Sequence, residues 1–216
     1  MLTLLRVGAD KKYGGFWSPI RSDRSYVFAP IPGETPPTYD SYSWFGQPLL
    51  SLLRPQDAMA LRRGRSTGTH CDPEFINCTY GSPRYINRNG RRATEKNYNA
   101  LRALRAGDVL AFYAAFAPAK YVADETLAGY YLFAYITVAE VVAFADVAEL
   151  SGVQKNMICR SPHANWPDQI VVVGDKMESL VCQFAVPFSL ACRDRRGSNY
   201  YPSNDWQYTL GGYIPS

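Results

Sequence analysis

Histidine occurs only twice in this chain of 216 residues, at His70 and His163. The five cysteines, Cys71, Cys78, Cys159, Cys182 and Cys192, form no CxxC pair, which removes the usual signature of a redox dithiol or a zinc ribbon. There is no Walker lysine loop and no GxGxxG, so nothing announces a P-loop or a dinucleotide fold. Charged residues reach only 19%. No internal repeat or low-complexity linker interrupts the chain. Met1 to Leu5 is too short an apolar run for a secretory signal, with Lys11 and Lys12 close behind. The longest apolar stretch, Leu127 to Ala139, meets Glu140 before it could span a bilayer. These absences lead us to expect a soluble, cytoplasmic protein with mostly reduced thiols and no membrane partner.

What is present is apolar and aromatic. Hydrophobic residues make up 47% and aromatics 14%, with 16 tyrosines, enough for a real core and suited to strands and stacking surfaces. The net charge of +4 is mildly basic. Arginines cluster at Arg62, Arg63 and Arg65, at Arg84, Arg88, Arg91 and Arg92, and at Arg193, Arg195 and Arg196. Arginine suits phosphate contact, although a solvated surface explains such clusters equally well.

Patterning predicts strands at Leu2–Val7, Tyr26–Ile31, Val109–Phe116, Tyr130–Val142, Gln169–Val173 and Val181–Phe188. Helical turns are expected over Pro48–Leu53 and Gln56–Arg63. A longer helix is expected from Thr94 to Arg105, with Tyr98, Leu101 and Leu104 on one face and Gly107 closing it. The prolines at 30, 32, 36 and 37 predict an irregular connection over Pro30–Tyr39, and residues 65–92 read as a long, loop-rich insert. The whole, residues 1–216, is expected to be one α+β domain built on a mixed β-barrel, with an extra C-terminal segment over about 193–216.

Leu104-Arg105-Ala106-Gly107-Asp108 and the strand Val109–Tyr113, followed by Tyr135–Val142, resemble the core of PUA-like domains, which include the EVE and ASCH groups. A wider set extends the likeness: Arg6-x-Gly8-x-Asp10, Gly14-Gly15, Ser18-Pro19-Ile20, Ile31-Pro32, His70-x-Asp72-Pro73, Gly107-Asp108 and Pro162-His163. Spread over roughly residues 5 to 175, it is similar to the third of the nucleotide-modification-associated domain families. That resemblance implies recognition or modification of bases in DNA, RNA or a free nucleotide, without fixing the reaction.

Candidate site residues follow from chemistry. The Gly14-Gly15 turn with Arg6, Asp10, Tyr13 and Ser18 could offer backbone N–H groups to an anion or a base edge, or could be a tight turn and no more. His70 with Asp72, and His163 with Arg160 and Trp166, could bind a base. As an enzyme, His70, His163 and Asp72 would serve as acid, base and orienter. Arg84, Arg88, Arg91 and Arg92 would contact phosphates. Tyr13, Trp17, Trp44 and Trp166 are loop aromatics on which a base could stack. Cys71, Cys78, Cys159 and His163 do not have the spacing of zinc ligand loops, so no metal or cofactor is expected. A binding module, a base-modifying enzyme and a protein-interaction domain all remain open at this point.

Overall fold

The computed structural model describes residues 1–7, 18–53, 55–63, 68–83, 96–118, 129–158, 168–187, 189–190 and 201–202. The strands are β1 (Leu2–Arg6), β2 (Ser18–Ile20), β3 (Ile31–Thr38), β4 (Ser43–Trp44), β5 (Gln47–Pro48), β6 (Gly68–His70) and β7 (Thr79–Pro83), then β8 (Val109–Pro118), β9 (Gly129–Phe144), β10 (Gln169–Gly174), β11 (Leu180–Pro187), β12 (Ser189–Leu190) and β13 (Tyr201–Pro202). The helices are short: α1 (Leu49–Leu52), α2 (Pro55–Arg63), α3 (Lys96–Arg102) and α4 (Gly152–Ile158). The architecture is α+β and mostly strand. No helix among the described residues is long and apolar enough to cross a membrane.

One sheet runs β1-β8-β9-β10-β7, with β2 also on β8 and β11 also on β9. β1 and β2 both lie parallel to β8, the first along Val109–Tyr113 and the second along Phe116–Pro118. β9 is 16 residues long. Its first half pairs with β8 and β11, and its second half with β10. Register shifts fall at Phe112/Tyr113, Val173/Gly174 and Val181/Val186, and bulges of this kind increase local twist.

Alternation along β8 sends Leu110, Phe112, Ala114 and Phe116 into the main core. There Phe28 stacks on Phe133 at 5.0 Å, and the Tyr26 hydroxyl donates to the carbonyls of Phe133 and Cys182. β10 is buried along its whole length because it is covered on both faces. Ile170 and Val172 join the main core, while Val171 and Val173 join a second cluster with Val142, Phe144 and Ile158 at the end of α4.

Several expectations are corrected. The strand expected at Tyr26–Ile31 lies later, at β3, on the proline-bearing stretch read as irregular. Among the described residues β3 pairs only with β6, with shifts at Gly33/Thr35 and Thr35/Thr38, and prolines are tolerated at such edges and bulges. Gly33 lies so close to β6 that a Cβ there would meet Thr69 and His70 backbone atoms at 2.7 Å. The insert at 65–92 is not all loop, since it supplies β6 and β7. α3 ends at Arg102. Leu101 and Leu104 are buried as expected, but Leu104 follows in a tighter turn, its N–H donating to Leu101 O. Gly107 is not a helix C′ residue. Its φ of +84° forms the turn into β8, where its N–H donates to Val138 O at 2.8 Å. α4 was not expected from the patterning. A capping box starts it: Gln154 N–H donates to Ser151 Oγ, and Ser151 N–H donates back to Gln154 Oε1. The barrel itself remains an expectation, because the strand order does not close among the described residues.

Gln169 opens β10, paired with Phe144 and Pro83. Its side chain is wholly buried, and both ends of its amide are without hydrogen-bond partners. A buried unsatisfied amide costs about 1–3 kcal/mol. Gln169→Met should therefore raise stability by about 1 kcal/mol or more, seen as a higher urea midpoint at unchanged m.

Candidate functional site

A pocket of about 240 Å³ lies between two loops. One wall comes from the segment after β3 and the β4–β5 hairpin, with Tyr42, Trp44 and Phe45. The other comes from residues 71–76, with Cys71, Glu74 and Phe75, and Val181 of β11 closes it. The volume lies below the roughly 300–1,000 Å³ of drug-sized ligand sites and suits a single flat ring.

Both loops are held by their own hydrogen bonds. Ser41 and Tyr42 N–H groups donate to Thr38 O, and Leu49 N–H donates to Tyr42 O. Trp44 Nε1 donates to Tyr26 O at 3.0 Å, fixing the indole against the core. In the second loop Glu74 and Thr79 exchange two backbone hydrogen bonds of 2.8 Å. The Glu74 carboxylate accepts from Ile76 N–H at 2.8 Å and Asn77 N–H at 2.9 Å, one on each oxygen. Gly174 N–H donates to Cys78 O at 2.7 Å, tying the loop's end to β10.

The hairpin tip is unusual. Phe45 and Gly46 have φ of +47° and +76°, the signs of a two-residue type I′ turn, which normally carries Asn-Gly. A bulky residue in the left-handed region is strained. Phe45 is also 57% exposed, so burial does not compensate it. Its ring stands at 64° to Trp44 with centroids 4.9 Å apart. Phe75 stands at 62° to Trp44, at 6.4 Å. Three rings thus wall the pocket at steep angles.

Tyr42 supplies a polar group. Burial pushes its phenol well above the usual tyrosine range, and Cys71, Glu74 and Tyr26 add to the shift. It is a neutral donor, not a base. Cys71 is buried, with Thr69 Oγ1 3.1 Å from its sulfur.

Of the described residues singled out from sequence, Trp44 lines this pocket, while Arg6, Ser18, His70 and Asp72 do not. His70 ends β6 opposite Ile31, and Asp72 follows. Both flank Cys71, and neither lines the cavity. Asp72 Oδ1 accepts from Gly81 N–H of β7 at 3.1 Å. Ser18 is fully buried, and its hydroxyl accepts from Ala29 N–H. Arg6 lies over Tyr130, 4.8 Å from the ring centre, and Tyr130 meets Tyr113 edge-on. Alternation places Tyr113 on the opposite face of β8 from Phe112, the residue that Phe75 touches. The structure therefore does not bring Arg6 to the pocket. Asp10, Tyr13, Gly14, Gly15, Trp17, Arg84, Arg88, Arg91, Arg92, Arg160, His163 and Trp166 lie outside the described residues, as do Arg65, Arg193, Arg195, Arg196, Cys159 and Cys192. Cys78 and Cys182 are free thiols.

Trp44 was a candidate by its type. Phe45, Phe75, Tyr42 and Glu74 were not, and the available signal was the bulky residue before Gly46 between two very short strands. The sequence also carries a pattern of the hydrolase nucleophile type. Gly64-Arg65-Ser66-Thr67-Gly68 spells GxSxG. That motif needs a strand before it and a helix after it, whereas here α2 precedes it and β6 follows it, the reverse of that order.

A family model described as nucleotide modification associated domain 3 matches residues 2–207. The match extends past residue 175 and into the C-terminal segment that begins near 193. No curated protein and no solved structure matches the chain.

Phe45→Asn should be more stable than Phe45→Ala by about 0.5–1 kcal/mol, because both lose the ring but asparagine tolerates positive φ. Paired thermal melts of the two variants check this.

Proposed function

The chain belongs to the nucleotide modification associated domain 3 family, and from that premise we propose that it binds a nucleotide or nucleic acid by holding one base in the pocket walled by Trp44, Phe45 and Phe75. The observation that carries this reading is Phe45, an exposed ring kept at a strained backbone position on the rim of an aromatic cavity. Strain of this kind at a surface position points to a role in contacting a ligand. A base supplies the flat π-face that such rings recognise.

The partner is DNA, RNA or a free nucleotide. Arg84, Arg88, Arg91 and Arg92 are assigned to phosphates on charge alone. The long β9 shared between two sets of partners, with the parallel β1–β8 pair, supports a PUA-like barrel core within a single domain. Binding is favoured over catalysis because Tyr42 is held neutral and the His70 and Asp72 side chains stand outside the cavity lining. The alternative, a base-modifying enzyme using His70, Asp72 and His163, predicts turnover that is lost when both histidines are replaced by alanine.

Isothermal titration with nucleosides and short single strands at low salt tests the reading. Phe45→Ala should weaken binding by about 5- to 100-fold, since stacking on one ring is worth roughly 1–3 kcal/mol per base. Replacing the four arginines by alanine should flatten the dependence of log K on log salt for oligonucleotides, with little effect on a nucleoside. No binding of any nucleoside, nucleotide or strand at low salt would sink the proposal.

A further inference from the structure

We infer that the pocket prefers a base carrying a positive charge, such as one alkylated at a ring nitrogen, over its neutral parent. This rests on the base-binding reading above and names the class of base.

The argument begins with Glu74. The residue lines the pocket and is only 5% exposed. Both oxygens accept backbone N–H groups, which is how an ionised carboxylate is held. Amides supply dipoles, however, and no counter-charge. Lys176 lies in the adjoining cavity of about 100 Å³, which shares Phe75 and Val181 with the main pocket, and it makes no ion pair with Glu74. Buried charges are ordinarily paired, because desolvation of a lone one is costly. Glu74 therefore gives the pocket one negative charge that nothing described in the chain balances.

The rings make the same demand. A neutral base is best held by parallel stacking. Trp44, Phe45 and Phe75 instead meet at 62° and 64°, walls of a box rather than plates of a stack. Pockets lined by several aromatic rings hold alkylated cations through the ring faces. The Tyr42 phenol, kept neutral beside Glu74, adds a donor without adding a charge. Carboxylate and rings thus ask for the same occupant: flat, cationic and bearing a small alkyl group.

The test compares ligands on the unmodified protein. In mildly acidic buffer, where 7-methylguanosine and 1-methyladenosine are cations, each should bind about tenfold or more tightly than guanosine or adenosine. A neutral methylated nucleoside, 5-methylcytidine, should show no such gain over cytidine. Glu74→Gln should abolish the preference, and the wild-type comparison decides the matter even if that variant does not fold. Equal binding of charged and neutral nucleosides overturns the inference while leaving base binding intact. A preference that survives in folded Glu74→Gln overturns the role of Glu74. Failure of every nucleoside to bind overturns both readings.

Discussion

Backbone pairing along β9 is the constraint on which the rest of the molecule depends. One strand of 16 residues must satisfy hydrogen-bonding groups on two edges. It does so by taking β8 on one side and β10 and β11 in succession on the other. The excursion between β10 and β11 is pinned to the same strand, with Asp175 N–H donating to Thr137 O and Thr137 N–H donating to Ser179 Oγ. The aromatic core then assembles where β8 and β9 run side by side. Phe75 reaches that core from its loop, touching Phe28, Phe112 and Phe133. The pocket is thus rooted in the sheet through a residue that serves both.

The two pocket loops depend on different things. The Glu74 loop closes on itself through reciprocal hydrogen bonds and is tied to β10 through Cys78 O. The hairpin relies on Trp44, whose indole is fixed by Tyr26, itself bonded to β9 and β11 carbonyls. Only Phe45 at the tip is both exposed and strained. Rigid walls with one adjustable ring describe a preorganised site in which little ordering cost remains to be met on binding.

Much of this fold is legible in the sequence, for physical reasons. β8 and β10 are apolar over their lengths because both their faces are buried, and β9 is rich in aromatic and β-branched residues that alternate between buried and part-exposed. Gly107-Asp108 is legible because only a residue tolerant of positive φ can turn the chain into β8. β3 was hidden by its prolines, which a strand with a single irregular partner can carry. α4 was hidden because its apolar residues are few, although Ser151 and Gln154 signalled its start. The site was half legible. Attention fell on His70 and Asp72 for their chemistry, yet the neighbouring Cys71 and Pro73 line the pocket. Phe45 escaped notice because strain is a property of backbone angles, which composition does not carry. Glu74 looked like an ordinary acidic residue because its burial is imposed by the tertiary fold.

Asp72 has one more implication. β7 is the outermost described strand on its side of the sheet, and outer strands invite pairing with other chains. By accepting the N–H of Gly81, the Asp72 carboxylate occupies a donor that an incoming strand would need. Pro83, at the far end of the same strand, brings no amide hydrogen at all. At these two positions, therefore, an incoming strand would find no amide hydrogen to accept.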